Sequence, residues 1–259
     1  MEISTLQITF FNILSCILKG TEFDWSICRN FAIKEWEGLY KLAQQHGVAA
    51  IVFEMVKTIP KEFAPPKGIV MRWLSYSLSI EKKMMTTEQI ATKLADKLTE
   101  YNIPVVILKG PAYATYYTNP YHRESGDLDC FLMGKKEEGD KVVMEIGGTM
   151  EEVGYKHSIL YYKGLVIENH RYLTSFNNTR LGIKTERLLQ GCIKEGCQSI
   201  GNTKLLNPSA DFNALFLIKH AQRHFIKEGI CIRHLLDWAF FLKAESQNVN
   251  WNKVVPMMR

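Results

Sequence analysis

Val105-Val106-Ile107-Leu108-Lys109-Gly110-Pro111 and, beyond a Tyr-rich segment, Arg123-Glu124-Ser125-Gly126-Asp127-Leu128-Asp129-Cys130-Phe131-Leu132 decide how this chain folds. Four apolar residues run into a Lys-Gly-Pro break, and two aspartates one residue apart then start a second apolar run bounded by Gly134. The pattern reads as strand, turn, short helix, loop, strand. Successive side chains of a strand point to opposite faces, so Asp127 and Asp129 share one face and Leu128 and Cys130 the other. Two carboxylates so placed repel each other unless a positive charge joins them, and a divalent cation with hard oxygen ligands fits that role.

An Asp-x-Asp pair alone is also what the solvent face of an edge strand looks like. Here a third carboxylate stands in a later strand-like run, Leu165-Val166-Ile167-Glu168-Asn169-His170. By the same alternation Val166, Glu168 and His170 face one way. If that strand lies beside the first, Asp127, Asp129 and Glu168 form one three-carboxylate metal site.

Lys-Gly, a short helix, Arg, Gly-Asp-Leu-Asp and a later Glu-x-His together resemble the uncharacterised nucleotidyltransferase family of the polymerase-beta-like superfamily. Asp24-Trp25, Leu42-Ala43-Gln44-Gln45-His46-Gly47-Val48, His220-Ala221-Gln222-Arg223-His224 and Leu236-Asp237 extend the likeness into the flanks. The resemblance implies two Mg2+ ions, a nucleoside triphosphate (NTP) substrate, and transfer of its nucleoside monophosphate to a hydroxyl of a small molecule or protein. It makes Asp127, Asp129 and Glu168 the catalytic residues and metal ligands, with Lys109, Gly110, Arg123, Ser125, Gly126 and His170 as nucleotide contacts. One departure stands out. Where the superfamily has Gly followed by Ser or Gly, this chain has Gly110-Pro111, which removes a hydroxyl and a backbone N–H from the phosphate site. Proline is tolerated in a helix's first turn, so the fold is unaffected, but Lys109 and Arg123 are left to supply more of the phosphate contact. The departure also supports an alternative: a catalytically degenerate nucleotide-binding or protein-interaction module of the same fold.

At 259 residues, 46% hydrophobic and 23% charged, the chain can bury a substantial core without disulfides or structural metal. Six scattered cysteines, mostly in apolar segments, read as reduced thiols of a cytoplasmic protein, and the five-residue spacing of Cys192 and Cys197 fits no zinc ribbon or redox pair. A dispersed net charge of +5 permits a phosphate-bearing ligand without indicating nucleic acid. The start Met1-Glu2-Ile3-Ser4-Thr5 lacks the basic residues of a signal peptide, and no run approaches the roughly 18 apolar residues of a membrane span.

The expected fold is α+β: a small mixed sheet of nucleotidyltransferase type flanked by helical regions, with residues 1–101 helical, 102–207 the catalytic core and 208–259 a shortened C-terminal helical region. Apolar periodicity predicts helices over Leu6–Leu18, about Asn30–Gln45 stopped by His46-Gly47, and Val48–Lys57. One long helix follows over Lys67–Tyr101, with Trp73, Leu74, Leu78, Ile80, Met84, Ile90, Leu94 and Leu98 facing inward. Lys135–Ile146 reads as a helix, and Tyr155–Tyr162 with Leu165–Tyr172 as a hairpin about Lys163-Gly164. Within Thr174–Asn207, the least legible part, Leu181–Leu189 reads as helix and Ile200–Leu206 as extended. Helices then follow through Ile226, over Ile232–Ala244, and from Trp251 to Arg259.

His220 and His224, four apart, have a spacing able to bind zinc, although packing against the catalytic segment, with Arg223 reaching the nucleotide, is the simpler reading. Arg233 and Asp237, also four apart, read as a helix-surface ion pair. Ser125 reads most simply as a turn residue, and His170 either orients a carboxylate or packs as a structural histidine.

Overall fold

The structure is a computed structural model and describes residues 4–174, 179–227 and 229–258. The sequence reading of Met1–Ile3, and Arg259 at the end of the last helix, lie outside these residues. Ser4 caps α1 (Thr5–Lys19), accepting from the Gln7 N–H while the Gln7 side chain accepts from the Ser4 N–H, and the helix ends at Gly20 with φ of 71°. α2 (Ile33–Gln45) and α3 (Ala49–Val56) follow, and α4 (Lys67–Glu100) is a single helix of 34 residues, roughly 50 Å long.

The first half of α4 closes a core with α1 to α3 around Phe10, Ile13, Trp25, Trp36, Leu39 and Trp73. Its second half leaves that core and lays Ala91, Leu94, Ala95 and Leu98 on the sheet. Each large apolar side chain buried in this way contributes about 1.5–3 kcal/mol. Leu78 does not face inward as expected: it is 51% exposed. The buried stripe passes instead through Trp73, Ser77, Met84 and Thr87, because helical geometry fixes which positions face the core even where a neighbouring residue is more apolar.

Seven strands are found among the described residues: β1 (Val105–Ile107), β2 (Leu128–Phe131), β3 (Thr149–Val153), β4 (His157–Tyr162), β5 (Leu165–His170), β6 (Cys197–Ser199) and β7 (Leu205–Pro208). They form one mixed sheet in the order β3-β4-β5-β2-β1-β7-β6. β2 runs antiparallel to β1 and parallel to β5, and its register with β5 sets Asp129 opposite Glu168 and Phe131 opposite His170. The β4–β5 hairpin turns at Lys163 (φ 50°) and Gly164 (φ 81°), the two left-handed residues of a tight hairpin turn. β3 was not expected, since every one of its residues is exposed and the sequence carries no alternation there. Of the expected Ile200–Leu206 run, Leu205 and Leu206 belong to β7, and the residues before them form the connection from β6, turned at Gly201 with φ of 54°.

Leu128, Cys130, Leu165 and Ile167 face α4 and α6 (Lys136–Glu145). On that side Asn169 donates to Asp140 Oδ1 at 2.7 Å and to the Lys136 carbonyl at 3.0 Å, which satisfies buried polar groups beneath the apolar layer. The other face is covered by α7 (Arg180–Glu195), α8 (Ala210–Lys227), α9 (Ile232–Glu245) and α10 (Trp251–Met258), through Leu189, Phe212, Leu215, Phe241 and Val254. At the start of α8, Ser209 Oγ accepts from the Phe212 N–H at 3.4 Å. Asp127, Asp129, Glu168 and His170 lie on this second face, between the sheet and α8.

Candidate active site

The chain leaves β1 with the Leu108 N–H donating to the Asp129 carbonyl at 2.9 Å, which ties the two strands together just before the break. Gly110 then takes φ 60° and ψ −116°, a conformation open to glycine alone, and a Cβ there would lie 3.3 Å from Ser125 Oγ. Pro111 opens α5 (Pro111–Ala114), a helix of only four residues. This helix is a single turn, and its Ala112 N–H is directed at the Lys109 carbonyl, 3.3 Å away. Ser125 Oγ donates to the Asp127 carbonyl at 3.1 Å, the turn role, and it and Gly126 line the cavity described below.

Asp127, Asp129 and Glu168 each bring an oxygen to within 4.8 Å of the others. Asp129, 1% exposed, is the most enclosed. Its Oδ2 lies 2.8 Å from Lys109 Nζ and its Oδ1 3.0 Å from His170 Nε2, which is also 3.3 Å from Glu168 Oε2. The other ring nitrogen of His170 faces the Tyr172 carbonyl at 3.3 Å. Burial opposes a positive charge on this ring, but the bonds to Asp129 and Glu168 outweigh it and raise the His170 pKa. Burial likewise opposes the Asp129 carboxylate, but Lys109 and His170 overcome it and hold Asp129 well below the usual range. The His170 hydrogen bond lowers Glu168. Asp127 moves the other way, pushed up by burial and then by the Asp129 charge.

Hard oxygen donors brought together at neighbouring strands, one of them pushed up by burial and by the charge of Asp129, suit a divalent cation. Sequence reasoning missed His157, whose Nδ1 is 4.0 Å from Glu168 Oε2 and whose ring centroid is 5.1 Å from that of His170. The hairpin register pairs His157 with His170, so counting back from Lys163-Gly164 would have found it.

The carboxylates open onto a cavity of about 790 Å³, within the size range of ligand pockets. Lys156, Lys219 and Arg223 line it together with Asp127, Asp129 and Glu168. Burial, and then the charges of Arg223 and Lys109, depress Lys156 to about 8. An adjoining cavity of about 390 Å³ shares Lys109, Asp127, His220 and His224 and adds Arg123, Ser125, Gly126, Arg233 and His234.

Arg123 is 3% exposed, and its Nε and Nη2 each donate at 2.8 Å to the two carboxylate oxygens of Asp237. Tyr117 donates its hydroxyl to the same carboxylate at 2.7 Å. Only the Nη1 end of Arg123 lacks a hydrogen-bond partner. The expected Arg233–Asp237 surface pair does not form: Asp237 is 3% exposed, and Arg233 Nη1 donates instead to the Glu124 carbonyl at 2.6 Å. A buried aspartate takes the cation that can reach it bidentately, and Arg123 is held in that position by its loop. All six cysteines are free, and no described helix is long and apolar enough to cross a membrane.

A family model described as an uncharacterised nucleotidyltransferase matches residues 33–259. Comparison with curated proteins gives no match. Among solved structures, the chain is similar to a crystal structure of ANT(2")-Ia in complex with adenylyl-2"-tobramycin, at 14% identity and a TM-score of 0.48, covering 67% of this chain and 95% of that one. It is similar also to a solution structure of the antibiotic-resistance factor ANT(2'')-Ia, at 13% identity and a TM-score of 0.48, covering 67% of this chain and 90% of that one.

Proposed function

The chain belongs to the uncharacterised nucleotidyltransferase family, and from that premise we propose that it transfers a nucleoside monophosphate from an NTP to a hydroxyl of a small molecule or protein. The observation that carries this reading is the β2–β5 register, which sets Asp129 against Glu168 with Asp127 beside them. Two Mg2+ ions held by Asp127, Asp129 and Glu168 would neutralise the triphosphate and lower the acceptor's pKa.

The protein's own groups account for the rest. Lys156, Lys219 and Arg223 attract the triphosphate into the larger cavity, and Lys109 stands at the junction with the smaller one. Gly110 and Gly126 let the backbone approach the phosphates, and Arg123, held by Asp237, lines the smaller cavity. The acceptor oxygen attacks the α-phosphorus. A new P–O bond forms as the bond to pyrophosphate breaks, and Glu168 takes the acceptor proton while His170 keeps its carboxylate oriented. Asp129, already bound by Lys109 and His170, is fixed in place before substrate arrives.

A second reading, the nucleotide-binding module without turnover, is favoured by Pro111 and by the Lys109 contact to Asp129. One assay separates the two. With NTP and Mg2+ the protein releases pyrophosphate, and Asp127→Ala and Asp129→Ala each reduce release at least 100-fold while circular dichroism remains unchanged. Full release by both variants overturns the enzymatic reading, and calorimetric NTP binding without release by the unaltered protein establishes the module.

A further inference from the structure

Nothing in the proposed transfer uses the three imidazoles that line the smaller cavity. His220 and His224 sit one turn apart on α8, and His234 reaches the same point from the first turn of α9. Each offers a ring nitrogen within 4.8 Å of the other two. The ring centroids lie 4.5 Å apart for His220 and His224, 4.8 Å for His224 and His234, and 5.4 Å for His220 and His234. Three nitrogens around a tetrahedral zinc ion, at bonds of 2.0–2.1 Å, stand about 3.4 Å apart, so each ring needs to close by less than about 1 Å.

The chemistry of the three rings suits such an ion. Burial, then the charges of Lys109 and His224, hold His220 far below the ordinary imidazole range, and burial, then Arg233, depresses His234 to about 4. Both are therefore neutral, the form that ligates. His234 Nδ1 lies 3.4 Å from Cys231 Sγ, which leaves Nε2 for an ion and supplies the outer contact that orients ligating histidines. His220 packs against the Phe216 ring at 6.2 Å with the planes 5° apart, which fixes its orientation from the side away from the cluster. All three histidines line the smaller cavity together with Asp127, so a fourth coordination position is open to whatever enters.

We propose that His220, His224 and His234 bind one transition-metal ion of the Zn2+ class, at a site distinct from the Asp127–Asp129–Glu168 cluster, with its fourth position facing the cavity. Two α8 histidines at i and i+4 are by themselves a packing pattern, and the third ring from α9 makes them a three-ligand set. The open position suits an oxygen of the acceptor, which would then be gripped within the smaller cavity. The metal site stands or falls independently of nucleotidyl transfer.

The test uses the full chain stripped of metal and titrated with Co2+. The expected result is a visible band of tetrahedral cobalt at one ion per chain, displaced by Zn2+, and weakened at least tenfold in affinity by His220→Gln and by His234→Gln. Asp129→Asn leaves the band unchanged, which separates this site from the carboxylates. X-ray absorption of the Zn2+-loaded unaltered protein gives the ligand count without any substitution, and three imidazole nitrogens at about 2.0–2.1 Å are expected. No cobalt band, a band indifferent to both histidine variants, or an oxygen-only ligand shell overturns the proposal.

Discussion

Asp237 joins two parts of the chain that are far apart in sequence. It receives two bonds from Arg123 and one from Tyr117, and it ties the loop before β2 to α9 beneath the smaller cavity. Asp237→Ala leaves a guanidinium that is 3% exposed without its carboxylate, and breaking a buried pair from one side costs about 3–5 kcal/mol. Thermal denaturation is expected to show a fall in Tm of about 10 °C, and an unchanged Tm contradicts the account of this pair. The sequence singled out both residues but assigned Asp237 to Arg233, because spacing along a helix reports only local neighbours. The Lys109–Asp129 contact escaped for the same reason. Asp127, Asp129, Glu168 and His170 were legible because strand alternation and two short motifs are local signals, and the structure places all four on one face.

At the scale of elements, the strand–turn–helix at Gly110 sets where the carboxylates stand relative to the cavity wall. Its φ of 60° with ψ of −116° excludes other residues, and the nearest obstacle to a Cβ is Ser125 Oγ at 3.3 Å. Gly110→Ala is expected to lose about 1–3 kcal/mol in denaturant unfolding. Gly126→Ala, where nothing lies within 4 Å of an added Cβ, is the matched control with little change. Equal stability of the two variants contradicts the strained-turn account. The β4–β5 hairpin was legible from Lys163-Gly164, and α4 from an unbroken run of helix formers. The exposed edge strands β3 and β6 were not, since an edge strand with no buried face writes no pattern into the chain, whereas Leu205 and Leu206 of β7 lie within the run read as extended. The Ser77–Thr87 stripe of α4 shows the converse case, where buried positions carry polar residues.

Over the whole molecule, α4 links the N-terminal helical core to one face of the sheet, and α7 to α10 close the other face over the carboxylates. The mixed α+β architecture followed from the order of apolar runs. The cationic lining of the larger cavity did not, because Lys156 comes from the approach to β4 and Lys219 and Arg223 from α8, and only the packing of α8 over the sheet brings them together. The central claim is that two strands distant in sequence build one cation site. Mn2+, an oxygen-seeking probe ion, titrated into the protein with a non-hydrolysable NTP analogue and followed by electron paramagnetic resonance, tests it directly. The account predicts bound Mn2+ in the unaltered protein and at least tenfold weaker binding in Glu168→Ala, while Mn2+ bound as tightly by Glu168→Ala as by the unaltered protein would contradict it.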